Sequence, residues 1–202
     1  MNARQLPALF APAPLWRRRL LTAGALALLG VGVPAAGRAA VGVGPVVPAV
    51  AAPALPLRGH DGAARTLAAQ LRGAVTAVQL MFTGCSTVCP IQGALFAALQ
   101  AAMGAEHGTT LRLLSLSIDP LADDPAALSA WLRRFGAGAA WSAAAPTHEA
   151  LEGMLSLFKG AAAAGDRHTG QVHVFNREAK LVWRTSELPP TAEVMAALRR
   201  AA

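Results

Sequence analysis

Cys85 and Cys89 are the only cysteines of the 202-residue chain, four positions apart in Gly84-Cys85-Ser86-Thr87-Val88-Cys89-Pro90. A thiolate is both a nucleophile and a soft metal ligand, so the pair suits either disulfide exchange or metal binding. A dithiol oxidoreductase generally places two residues between its cysteines. Three intervening residues let both sulfurs converge on one ion. A disulfide remains open to the pair if the loop brings the α-carbons within about 4.4–6.8 Å. As a merely stabilising crosslink it would close a loop of about three residues, where the entropic gain is least. Softness selects Cu(I) or Zn, but a structural zinc site wants four protein ligands and the sequence offers no further cysteine. Two sulfurs and one histidine nitrogen make a coherent copper set.

Five histidines compete for the third position. His60 sits in a turn, His107 in a loop and His148 in the first turn of a helix, and each reads as a solvated polar residue. His168 and His173 share the segment Gly165-Asp166-Arg167-His168-Thr169-Gly170-Gln171-Val172-His173-Val174-Phe175. Strand alternation puts His173 on one face with Gln171 and Phe175. His168 lies in the preceding loop, between Gly165 and Gly170, free to reach a cysteine loop at the same end of a sheet. Binding residues concentrate on loops, which favours His168, with His173 as the alternative.

The elements around these residues follow from apolar pattern. Ala74 to Phe82 is a continuous apolar run between glycines, the mark of a buried central strand. Ile91, Leu95, Ala98, Leu99 and Ala102 recur at helical spacing, so a helix starts at the second cysteine, with Pro90 in its first turn; Ser86 and Thr87 either cap it, the preferred reading, or hydrogen-bond to a sulfur. His60-Asp61-Gly62 predicts an N-terminal hairpin within Leu57 to Leu71. Leu111 to Ile118 is a strand, and Asp124 followed by Pro125 caps a helix reaching Phe135. A third helix spans Pro146 to Lys159. Gln171 to Val174 and Lys180 to Arg184 form a C-terminal hairpin about residues 176–179, and a last helix runs from Thr191 to Arg200. The order predicts an α/β fold, a central sheet flanked by helices, with the cysteine loop between a strand and a helix N-terminus that stabilises thiolate, the placement that thioredoxin-like folds give reactive sulfur, although the cysteine spacing is not theirs.

Composition bounds the rest. The chain is 54% hydrophobic and 14% charged, which excludes disorder, and it carries a formal net charge of +7. Five of the arginines lie in the first forty residues, which hold no acid, leaving 13 basic against 11 acidic residues beyond them. The remainder has no charge excess for gripping phosphates, so nucleic acid is not an expected partner. Trp16 to Ala40 has the basic, apolar and small-residue regions of an export signal. Arg17-Arg18-Arg19 also fits a twin-arginine signal. The apolar run from Leu20 to Val33 is short of the roughly 20 residues of a spanning helix, although a retained anchor is the alternative to cleavage. Residues 1–40 are thus expected to be an export signal or anchor, 41–54 an Ala/Val/Pro/Gly-rich linker and 55–202 the folded domain. The expected location is periplasmic, or inner-membrane anchored facing the periplasm, with membrane contact only through the N-terminal segment.

The residues resemble the SCO/SenC family of cytochrome oxidase assembly proteins. The resemblance rests on the apolar strand ending in Phe82-Thr83-Gly84-Cys85, the C-x-x-x-C-P core, the strand end Ser115-x-Ser117-Ile118-Asp119-Pro120, the nearby Asp124-Pro125 and the upstream His60-Asp61-Gly62. It implies a thioredoxin-like fold and a copper site, Cu(I) or Cu(II), made by Cys85, Cys89 and His168. It also implies delivery of copper to the copper-receiving subunit of a terminal oxidase, or reduction of that subunit's thiols, with a thioredoxin-like protein as a possible reductant. Two alternatives therefore stand beside a metallochaperone: a thiol:disulfide reductase using Cys85 and Cys89, and a copper or redox sensor. Ser86-Thr87 replaces the Pro-Asp found between the cysteines of many members.

Overall fold

The computed structural model describes residues 42–159 and 169–202. The expected export signal and His168 lie outside these residues. All described residues belong to one compact unit, Arg38–Ala202.

Strand β1 covers Gly44–Ala51, β2 Pro56–Gly59, β3 Ala64–Thr66, β4 Val75–Met81, β5 Leu111–Ser117, β6 Trp141–Pro146, β7 Val172–Phe175 and β8 Lys180–Arg184. Among the described residues they form one sheet in the order β1-β8-β7-β4-β5-β6-β2-β3. The three central strands β4, β5 and β6 are parallel, which requires crossover helices, and the flanking pairs are antiparallel. The helices are α1 (Leu67–Leu71), α2 (Val88–Met103), α3 (Pro125–Arg134), α4 (Leu151–Lys159) and α5 (Thr191–Ala201). All seven residues of β4 are buried, as a strand covered on both faces must be.

The alternation of β4 divides the core. Val75, Ala77 and Met81 pack with Phe96 and Leu99 of α2, Trp131 of α3 and Leu198 of α5, in the same cluster as both cysteines. Val78 and Leu80 face the other way, against α1 and against Met154 and Phe158 of α4. Val88–Glu106 is long and apolar enough to cross a membrane by length and composition, and its Phe96, Leu99 and Met103 are buried in the core. The end of α3 meets α2 at Gly93, where an added Cβ would lie 2.4 Å from the Phe135 ring, so only glycine permits this approach.

The expected hairpins, the central strand and the helix beginning at the cysteines are all present. Asp124 caps α3 as expected, its Oδ1 accepting from the Ala127 N–H at 2.8 Å. Three local readings need correction. Residues 44–51, expected from their Ala/Val/Pro/Gly-rich composition to be part of a linker, form the edge strand β1 against β8; on an edge strand the missing N–H of Pro45 and Pro48 need not interrupt a ladder. Trp141–Pro146, which carries little β-branched character, is a strand because β5 and β2 pair with it on either side. Consequently α4 begins at Leu151 rather than Pro146.

Candidate functional site

The site grows from the C-terminal end of β4. The chain leaves Met81, makes a turn in which the Cys85 N–H donates to the Phe82 carbonyl at 3.2 Å, and enters α2 at Val88. A helix leaves its first N–H groups without intrahelical partners. Here the Cys89 N–H donates to Cys85 Sγ at 3.4 Å. Thr87 does not cap α2, contrary to the preferred reading: it makes no side-chain cap bond, and its Oγ1 stands 3.7 Å from Cys85 Sγ, as the alternative reading has it. The sulfur of Cys85 takes the capping role, and Thr87, expected to serve the helix, serves the sulfur.

Both cysteines are free and buried. Their thiols are made unequal by this arrangement. Burial pushes Cys85 up, but hydrogen bonds from the Cys89 thiol, the backbone N–H of Cys89 and Thr87 outweigh it, bringing Cys85 down to about 7. Cys89 is pushed up to about 12, first by burial, then by its thiol donating to Cys85, with the charges of Cys85 and Asp123 adding to the effect. Cys85 is thus the more acidic of the two thiols, and Cys89 is its protonated partner at neutral pH.

Asp123 fastens the cysteine loop to the sheet. Its buried carboxylate accepts from the Thr83 N–H at 3.2 and 3.1 Å, from the Thr83 hydroxyl at 2.5 Å and from the Ser117 hydroxyl at 2.6 Å. The Ser117 oxygen in turn accepts from the Asp119 N–H at 2.9 Å. The Ser-x-Ser-Ile-Asp-Pro strand end therefore builds the mount on which the cysteine loop sits. Ser117 and Asp119 stood out in the sequence, whereas nothing in the local pattern singled out Asp123.

A second set of bonds reaches from α2 to the residue that follows His168. Gln92, three positions after Cys89 and buried, donates from Nε2 to the Thr169 carbonyl at 3.1 Å. Cys89, Gln92, Thr169, Met81 and Ile118 line one small cavity of about 10 Å³. Nothing in the sequence signalled Gln92, because its partner is 77 positions away.

The other histidines are placed clearly. His173 pairs with Val78 of β4 and points into the α4 side, away from the cysteine cluster. Its Nε2 engages the Phe158 carbonyl at 3.2 Å, its ring meets Phe158 edge-on at 4.9 Å, and burial followed by the Arg184 charge holds it down at about 3. His173 is a neutral core residue. His107 lies beyond the far end of α2, a helix about 24 Å long at 1.5 Å per residue. His60 bonds to the Ala143 carbonyl through Nδ1 at 3.2 Å, near the start of β6, and His148 is exposed in the turn before α4. Among the described residues no three His, Cys, Asp or Glu side chains form a metal cluster. The donor chemistry of Cys85 and Cys89 nevertheless fits a soft ion, with one ligand to be supplied from elsewhere.

A model of the SCO1/SenC family matches residues 52–202. No curated protein sequence matches the chain significantly. Among solved structures, the chain is similar to a SCO1/SenC family lipoprotein from Bacillus anthracis, with TM-score 0.64, 23% identity and coverage of 78% of this chain and 96% of that one. It is similar to BsSco, a member of the Sco family of cytochrome c oxidase assembly proteins in which a disulfide switch was identified (TM-score 0.63, 21% identity, 76% and 94% covered). It is also similar to copper-bound ScoI from Bradyrhizobium japonicum (TM-score 0.62, 20% identity, 76% and 100% covered). These likenesses establish the thioredoxin-like fold.

Proposed function

The chain belongs to the SCO1/SenC family, and from that premise we propose that it is a copper metallochaperone of the exported compartment, binding copper through Cys85, Cys89 and His168. Its copper passes to the copper-receiving subunit of a cytochrome oxidase. The observation that carries this reading is the shared cavity of Cys89 and Thr169, which brings the residue next to His168 in sequence up against the cysteine helix. The copper-bound state of the Bradyrhizobium japonicum relative supports the cargo.

Each residue has a stated part. Cys85, held near 7, offers a thiolate at neutral pH, and Cys89 gives up a proton as the ion binds. His168 supplies imidazole nitrogen, a donor acceptable to both copper oxidation states. Asp123 and Ser117 keep the cysteine loop in register with β5. Transfer proceeds by ligand exchange with acceptor thiols. The first 40 residues act as the export signal or anchor, and the folded domain handles the metal.

A second reading, thiol:disulfide reductase, is favoured by the inequality of the two thiols. The Cys85 thiolate attacks a partner disulfide and forms a mixed disulfide, expelling one partner thiolate. Cys89 then loses its proton and attacks Cys85 Sγ, expelling the second partner thiolate, so two electrons pass to the partner and Cys85–Cys89 is left oxidised. A thioredoxin-like reductant would restore it. The disulfide switch of BsSco supports this chemistry.

The deciding experiment loads the reduced protein with Cu(I) against a competing chelator, for wild type and His168→Ala. One copper held tightly per chain by the wild type, and held much more weakly by the variant through the two sulfurs alone, is the expected result. No retention by reduced wild type, together with a readily cycled disulfide, would replace the chaperone with the reductase.

A further inference from the structure

We infer that Gln92 and Glu187 are positioning residues for the third copper ligand, acting through the backbone of Thr169 and Gly170; the inference rests on His168 being that ligand. Thr169 follows His168 directly, and its polar groups are tied down on several sides. Its carbonyl accepts from Gln92 Nε2 at 3.1 Å. Its hydroxyl donates to Glu187 Oε1 at 2.9 Å and accepts from the Gln171 N–H at 3.1 Å. The next residue, Gly170, donates its N–H to Glu187 Oε2. The Gly170 carbonyl then accepts from the Leu188 N–H at 3.0 Å.

The fold commits unusual local conformations to this contact. A Cβ on Gly170 would stand 2.8 Å from Glu187 Oε2 and 3.0 Å from the Leu188 nitrogen, so a larger residue would displace the Glu187 carboxylate and crowd the Leu188 backbone. Leu188 adopts φ of 46°, a left-handed conformation uncommon for a leucine. Gln92 is buried, and its amide donates to a neutral backbone carbonyl rather than to a charged group.

The consequence is geometric. Gln92 lies on the same helix as Cys89, one turn on, so its amide sets the distance between α2 and the backbone beside His168. Glu187 holds that backbone from the opposite side. A ligand supplied by a loop binds well only if its backbone is held where the other ligands are, and partners of this kind typically change metal affinity about 10–100-fold when removed.

The test uses the full-length protein as Gln92→Leu, which keeps the side-chain bulk, as Glu187→Gln, whose residue is exposed and dispensable for the core, and as each combined with His168→Ala. Cu(I) affinity is measured by chelator competition, nitrogen coupling by electron paramagnetic resonance of the Cu(II) form, and Gly170 amide exchange in the metal-free protein. The expected result is an affinity loss of about tenfold or more in each single variant, weakened nitrogen coupling, faster Gly170 exchange and an unchanged Cys85–Cys89 reduction potential. Combined with His168→Ala, neither variant should lose further affinity. Wild-type affinity in both single variants, or a loss that persists in full when His168 is absent, would overturn the positioning role. If His168→Ala alone binds copper as wild type does, the ligand assignment itself falls, a failure visible without reference to Gln92 or Glu187.

Discussion

The unequal thiols make a quantitative prediction about Cys85. With Cys85 at about 7, roughly half its sulfur is thiolate at pH 7 and nearly all at pH 9, so its alkylation rate should rise only about twofold across that interval. A thiol at the ordinary value of 9.0 would rise about fiftyfold over the same interval. Burial slows a reagent by a factor that multiplies both rates equally, so the ratio reports ionisation rather than access. The assay is iodoacetamide labelling of the reduced, metal-free protein, read by peptide mass spectrometry at each cysteine. Cys85 should be labelled first and Cys89, pushed up to about 12, should stay unmodified until the protein unfolds. In Cys89→Ala the thiol donor is lost while the residue 89 N–H remains, so the Cys85 ratio should move from twofold toward fiftyfold without reaching it. A fiftyfold rise at Cys85 in the wild type, or equal labelling of the two cysteines at neutral pH, would refute the hydrogen-bonding argument.

Asp123→Ala strips the acceptor from the Thr83 N–H and from two hydroxyls at once, and should lower stability in urea by about 3 kcal/mol with faster amide exchange at Thr83; a loss below about 0.5 kcal/mol would mean that water replaces the carboxylate there. Cu(I) binding should release about one and a half protons from the cysteines at pH 7, half from Cys85 and one from Cys89, falling to about one at pH 9 where Cys85 is already ionised. Calorimetry of the His168→Ala protein in buffers of different ionisation enthalpy isolates this cysteine contribution, and a release independent of pH between 7 and 9 would contradict it.

The parts of this molecule that could be read from its sequence are those whose cause is local. The unbroken apolar run of β4 reports burial on both faces, Asp124-Pro125 reports a helix start, and His60-Asp61-Gly62 reports a turn, because in each the physics is settled within a few residues. Strand β6 was illegible for the converse reason: Trp141–Pro146 holds no β-branched residue, and its conformation is imposed by β5 and β2. Strand β1 was hidden by prolines that a central strand would reject and an edge tolerates. The site divides in the same way. Cys85 and Cys89 announce themselves, since few residue types can do their chemistry. What holds them does not, because Thr83 and Asp123 are 40 positions apart and Gln92 and Thr169 are 77 apart. A buried carboxylate and a buried amide look, in sequence, like any surface acid and amide. Only the fold shows that one fastens the cysteine loop to β5 and the other joins the cysteine helix to the chain beside His168, and these two attachments are where substitutions should alter the site while the sulfurs themselves stay untouched.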